Sequence, residues 1–312
     1  MAKHNQMQHP VIQKALFSKA VITTLPPEHR LSDIMDYLIT DNPFPSTLDV
    51  TNYDRVANMA GTIYAETEWL KYRQIYKCRK DIMLALLDSD DMNFDIADLN
   101  IPFPAMYFDL SALDLHMTVN MPGRFTGVFV AITPEDDENH SLAISFLHEH
   151  TLRNFSGLLV DYKQDRTVND ILAGVIQETN KLGEFAELDT LIAATKLTFM
   201  LMAYVSSHEP DVTEHKPKVI LLPAGRGKNM PVQTKTWTVG EHYMVEKLRQ
   251  EPPDVRIKYE EHHGTVKPHV RRGHWHTYCI GKGRTKRVVK WLAPMYIGNP
   301  DETPTTTIRE KH

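Results

Sequence analysis

Two cysteines in 312 residues, Cys78 and Cys279, are too few and too far apart for a disulfide framework or the paired spacing of a zinc knuckle. Long hydrophobic runs are also missing. The longest, residues 191–205, is interrupted by Thr195 and Lys196, so no membrane span is expected. The opening Met1-Ala-Lys-His-Asn-Gln has no apolar segment behind it and does not read as a secretory signal; the expected place is the cytoplasm. An excess of one charge sign is lacking too, since 35 Lys and Arg stand against 40 Asp and Glu, for a net charge of −5. The chain as a whole is therefore not a polycation drawn to nucleic acid. Ala224-Gly225-Arg226-Gly227-Lys228 lacks the outer glycines and the Lys-Ser/Thr pair of a phosphate-binding loop. No motif asks for a cofactor, a metal or a small-molecule ligand. What remains, at 42% hydrophobic and 24% charged, is an ordinary globular chain of one large domain or two, not a disordered, collagenous or solenoid one.

The pattern of apolar positions divides the chain into a helical region 1–99, an α+β body 100–255, a basic segment 256–298 and a flexible tail 299–312. In the first, Val11, Ala15 and Leu16, then Ile34, Tyr37 and Leu38, recur at helical spacing. Residues 54–87 read as one long helix with Val56, Ala60, Ile63, Tyr64, Trp69 and Ile75 on its buried stripe. Its basic residues Lys71, Arg73, Lys77, Arg79 and Lys80 suit a solvated face. From Ile101 the period changes. Residues 106–110, 127–132 and 142–147 read as strands of an antiparallel sheet, the last two joined by an acidic turn at 135–139. Helices are expected from Thr167 to Thr179 and from Glu187 to Ser206, the second ending at Pro210. Residues 213–229, rich in Lys, Pro and Gly, read as an exposed loop, 237–240 as a short strand and 241–250 as a short helix. The fold class expected is α+β: a helical N-terminal region, then a mostly antiparallel sheet with packed helices and a basic C-terminal β-hairpin.

Chemistry concentrates near the C-terminus. Residues 256–291 carry ten Lys and Arg against Glu260 and Glu261, leaving −13 on the remainder, and hold five of the sixteen histidines. An acidic body with a basic end suits phosphates or an acidic polypeptide. On a strand, His274, His276 and Tyr278 share one face and Trp275 and Thr277 the other. Gly281-Lys282-Gly283-Arg284 reads as the turn of a hairpin returning through residues 287–292. The candidate binding residues are His269, Arg271, Arg272, Tyr278, Arg284, Lys286, Arg287 and Lys290. Three readings of the segment stay open. In one, the arginines and lysines contact RNA phosphates or a partner without catalysis. In another, His274 and His276 act as base and acid of a metal-independent ribonuclease, which chelator would not stop. In the third, Trp275 and Trp291 pack into a core and the polar groups only hold the hairpin. A metal site would need a carboxylate or cysteine beside the two histidines, and there is none.

The string Pro268-His269-Val270-Arg271-Arg272-Gly273-His274-Trp275-His276-Thr277-Tyr278 resembles the signature of a family of phage and plasmid proteins that includes a type V-A anti-CRISPR protein. Arg287-Val288-Val289-Lys290-Trp291-Leu292-Ala293-Pro294 is similar to a later run of that family, with Lys290 in place of an arginine, and Cys279 stands where members often have tryptophan. Upstream, Tyr107-Phe108-Asp109-Leu110, Glu209-Pro210-Asp211-Val212 and Val239-Gly240-Glu241 resemble family strings in the same order, so that the likeness spans roughly 101–298. The resemblance implies an anti-defence protein acting in a bacterial host. It would recognise a nascent or folded polypeptide of a defence system, such as a type V CRISPR nuclease, and lower its production. RNA or the ribosome would be a second partner, and an accessory role for a mobile element is the non-catalytic alternative.

Overall fold

A computed structural model describes residues 10–26, 28–46, 48–89, 92, 94, 99–117, 123–134, 140–149, 157–161, 167–181, 188–223, 229–243 and 269–297. Three helices come first: α1 (Pro10–Val21), α2 (Leu31–Asp41) and α3 (Tyr53–Tyr72). Pro10 opens α1, where its missing N–H costs nothing. The Asp33 carboxylate accepts from the Arg30 N–H (2.6 Å) at the start of α2, and the Asn52 side chain accepts from the Arg55 N–H (3.1 Å) at the start of α3. Arg73 ends α3 in the left-handed region at φ 55°, its N–H donating to the Trp69 carbonyl (2.7 Å).

That turn overturns the single helix read over 54–87. The chain continues as strand β1 (Gln74–Cys78) and only then as α4 (Lys80–Leu87). The strand was hidden because Ile75 falls in phase with the stripe of α3. In the structure Ile75 enters the core on one face of the sheet, while Tyr76 and Cys78 enter the core on the other. A five-residue strand buried on both faces shows no alternation to find.

The remaining elements are β2 (Ala105–Asp109), β3 (His116–Met117), β4 (Gly123–Pro134), β5 (His140–His148), β6 (Gly157–Asp161), α5 (Val168–Lys181), α6 (Leu188–Ser206), β7 (Val212–Pro223), β8 (Asn229–Val239), β9 (His269–Arg271), β10 (His274–Ile280), β11 (Lys286–Leu292) and β12 (Met295–Ile297). The large sheet runs β6-β5-β4-β2-β1-β8-β7, with β3 alongside β4. It is mostly antiparallel, as expected of the α+β class, but β1 pairs parallel with both β2 and β8. Helices α1 to α3 cover one face, and α4 and α6 with their neighbours cover the other. Thr167 and Asp170 cap α5 reciprocally. Leu197, Phe199, Met200, Leu201 and Met202 of α6 are fully buried, so this helix is the spine of the core on that face.

The loop expected at 213–229 is also corrected over 213–223, while residues 224–228 lie outside the described residues. Residues 212–223 form β7, an edge strand, and Trp237 to Val239 end an eleven-residue β8 rather than form a short strand alone. Lys216, Pro217 and Lys218 suggested a loop. In the structure they sit at a bulge between His215 and Lys218, where charge and proline blunt an exposed sheet edge. The helix read over 241–250 is not seen at 241–243, which bend. Residues 244–250, the acidic turn at 135–139, residues 256–268 and the tail 299–312 lie outside the described residues.

One ionic knot sits beneath the N-terminal helices. Lys14 of α1 and Glu66 of α3 are both 0% exposed, with Nζ 3.4 Å from Oε1. Ser18 of α1 donates to Oε2, and Ser145 of β5 donates to Oε1 (2.5 Å). Burial pulls the Lys14 pKa down and pushes the Glu66 pKa up, against their mutual attraction. Such a pair is costly to break on one side only. Lys14→Met and Glu66→Leu should each lower stability by about 3–5 kcal/mol, whereas the double change should lose far less than the sum. Urea unfolding of the three variants measures both quantities.

His148, 3% exposed at the end of β5, packs its ring 4.4 Å from that of Phe125, and neither nitrogen has a hydrogen-bond partner among the described residues. Burial, reinforced by the Lys14 charge, lowers its pKa to about 4. The unfolded chain, titrating near 6.5, therefore takes up a proton that the native state refuses, and stability falls as the pH drops from about 6.5 to 4. His148→Leu should remove about 2 kcal/mol of that loss at pH 5 relative to pH 7. Paired urea titrations at the two pH values read it directly.

Candidate nucleic-acid interface

Strands β10 and β11 form the hairpin expected from the sequence. Gly281 and Gly283 take φ of 85° and 81° in its turn, and Arg284 follows at φ 53° with its N–H donating to the Gly281 carbonyl (3.0 Å). The register sets Trp275 opposite Trp291, His276 opposite Lys290, Tyr278 opposite Val288 and Cys279 opposite Arg287. Alternation then sorts the side chains by face. Trp291, 7% exposed, donates its indole N–H to Ser89 Oγ (2.8 Å) and lies 5.7 Å from the rings of both Tyr204 and Tyr243. Trp275 packs on Phe94 at 5.4 Å. A side chain at Gly273 would meet the Trp291 ring at 2.8 Å, so only glycine lets the preceding turn approach it. The two tryptophans thus have the core role allowed by the structural reading. Trp237 packs likewise against Tyr76 at 5.9 Å and donates to Gln74 Oε1 (2.9 Å).

The other candidate residues distribute along the ribbon. His276 is exposed and Tyr278 is 38% exposed, their rings 4.2 Å apart and inclined by 31°. His274 is half-buried at the base, its Nδ1 without a hydrogen-bond partner among the described residues. Two positions along one strand put His274 and His276 about 7 Å apart along the backbone. Arg284, Lys286 and Arg287 are exposed near the tip, together with Lys282. Arg271 and Arg272 are exposed at the other end, Arg272 lying 3.7 Å from Asp88 of the α4 C-terminus. Lys290 reaches Glu209 at 3.5 Å. His269 occupies β9 opposite Ile297 of β12.

Sequence reasoning missed how the body holds this ribbon. The Glu209-Pro210-Asp211 turn, Lys290 and Trp291 meet around an open cleft of about 260 Å³ lined also by Tyr204, His242 and Tyr243. Asp211 accepts from His242 twice, through the ring Nδ1 and the backbone N–H (2.8 Å each), while the Gly240 N–H donates to its carbonyl (2.8 Å). Glu209 stands at φ 56°, unusual for a non-glycine residue, and carries the carboxylate facing Lys290. The His208 N–H donates to the Val289 carbonyl (3.2 Å), joining the end of α6 to β11. Burial raises the phenols of Tyr204 and Tyr243 to about 12, so both stay protonated as packing groups. The strings forming this clamp were visible in the sequence, but no local spacing brings residues 209–211 beside 240–242 and 290. No helix among the described residues is long and apolar enough to cross a membrane.

Comparison with known proteins gives these features a lineage. Among solved structures, the crystal structure of AcrVA2 is similar to this chain with a TM-score of 0.53 and 15% identity, covering 93% of this chain and 100% of that one. At that identity the likeness speaks for the fold alone. No curated protein matches the sequence. A family model, that of the AcrVA2-like proteins, matches residues 76–299, so the relationship begins inside β1, upstream of the 101–298 stretch carried by the motifs. With the match covering well over half its length, the chain belongs to the anti-CRISPR type V subtype A2 family.

Proposed function

We propose that this anti-CRISPR chain engages a polypeptide of the host defence system, nascent or folded, and lowers its production while its C-terminal hairpin contacts RNA or the ribosome. Family membership supports the anti-defence role. One observation carries the RNA contact: residues 269–297 hold seven Lys and Arg and no Asp or Glu, on a ribbon whose core side is fastened to the body and whose charged tip faces solvent. A rigidly held basic ribbon meets a phosphate backbone with little ordering cost, and its affinity falls steeply with salt. Arg271, Arg284 and Lys286 are the leading phosphate contacts, and the exposed Arg287 adds its charge beside them. Arg272 and Lys290 divide their charge with Asp88 and Glu209. The polypeptide-reading surface belongs to the body, whose acidic balance differs from that of the hairpin.

The test uses tagged protein recovered from growing cells that carry a type V nuclease gene, with and without ribonuclease treatment. Wild type should bring down RNA and one enriched message. Arg284→Glu/Lys286→Glu/Arg287→Glu, which leaves both hairpin tryptophans in place, should lose at least tenfold of the RNA and spare the message. Undiminished RNA recovery and continued message loss in the triple variant would refute the contact.

A further inference from the structure

We infer that the outward face of the hairpin is a stacking platform for unpaired bases, so that the nucleic acid it takes is single-stranded RNA rather than duplex. The inference rests on the RNA contact proposed above and names its substrate class. His276 and Tyr278 are neighbours on one side of β10, and their rings lie 4.2 Å apart, inclined by 31°, while remaining exposed to solvent. Trp275 and Trp291, on the other side, are taken up by Phe94, Tyr204 and Tyr243, so the packing of the hairpin has no use for the outward pair. Two flat rings held against each other outside the core are already ordered for a third. A base can extend such a stack at little entropic cost, and it does so whatever its identity because every base has a π-face.

The surroundings suit the nucleotide's other half. Lys290, which also meets Glu209, lies directly opposite His276, and Lys286 follows on the same face toward Arg284 of the turn, with no carboxylate anywhere in residues 269–297. Phosphates flanking a stacked base would run along this basic edge. A duplex keeps its bases stacked on one another, out of reach of rings projecting from a strand, and would meet only the charges. The platform therefore predicts discrimination between single and double strands that charge alone would not produce.

Fluorescence anisotropy with the full chain tests this, using a labelled twelve-nucleotide oligouridine and a twelve-base-pair RNA duplex at several salt concentrations. Wild type should bind the single strand more tightly. His276→Ala/Tyr278→Ala should weaken single-strand binding about tenfold, leaving duplex binding and the salt slope unchanged, and His276→Phe/Tyr278→Phe should restore it. Arg284→Glu/Lys286→Glu/Arg287→Glu should weaken both ligands. An alanine pair that leaves the single-strand to duplex ratio unchanged overturns the platform while the phosphate contact stands. Wild type that binds neither RNA, even at low salt, overturns the RNA contact itself and the platform with it, including where the same rings prove to hold a polypeptide.

Discussion

Everything else in the fold hangs on the fastening of one short strand. β1 accepts parallel partners on both edges, β2 on one side and β8 on the other, and so joins the antiparallel β2-β4-β5-β6 half of the sheet to the β8–β7 pair. Its first residue is pinned from both faces. The Trp69 indole donates to the Gln74 carbonyl (2.8 Å), the Gln74 side-chain amide donates to the Tyr72 carbonyl (2.8 Å), and Trp237 donates to its amide oxygen. The Lys235 N–H donates to the Arg73 carbonyl (3.1 Å) at the entry, and the Arg79 N–H donates to the Val239 carbonyl (3.2 Å) at the exit. Parallel pairing has no tight hairpin to set its register, so these long-range contacts replace one.

What the sequence shows and hides follows from that arrangement. α6 was legible because a nineteen-residue segment rich in apolar side chains with a proline after it has few other fates, and β4 and β5 because their apolar runs bury against both layers. The hairpin was legible in full, since a glycine turn between alternating strands is local information. β1 was not, because its burial is set by partners some thirty and a hundred and sixty residues away. β7 was misread for a related reason: an edge strand has the composition of a loop when lysine and proline are the means of leaving the edge unpaired. In the candidate site, the residue types on the ribbon could be named in advance. The clamp of Glu209, Asp211 and His242 could not, because its meaning lies in the α6-to-β7 turn meeting the β8 exit.

The two cores also divide the energetics. On the α1–α3 face a buried ion pair with two serine donors holds the helices to β5. That is an unusual load of polarity for an interior, and such a pair adds little net stability while the loss of either partner alone is costly. On the opposite face the contacts are aromatic and apolar, from Phe125 and Phe146 through α6 to Trp291. The basic ribbon is therefore anchored to the dry, aromatic side of the molecule. Its positive charge is kept apart from the Lys14–Glu66 network by the thickness of the sheet.

This anchoring decides which residues the ribbon can offer a partner. Side chains on a strand alternate, so a slip of one residue would exchange the faces entirely and put His276 and Tyr278 inward with Trp275 outward. The indole bond to Ser89, the His208-to-Val289 backbone bond and the glycine at 273 each tolerate only the observed register. Packing Trp275 and Trp291 inward thus turns the imidazole, the phenol and Lys290, which stands opposite His276, to the outward face together. The outward arrangement needs no separate determinant: it is the other face of the packing, and a change that loosened Trp291 would blur the site without touching one of its residues.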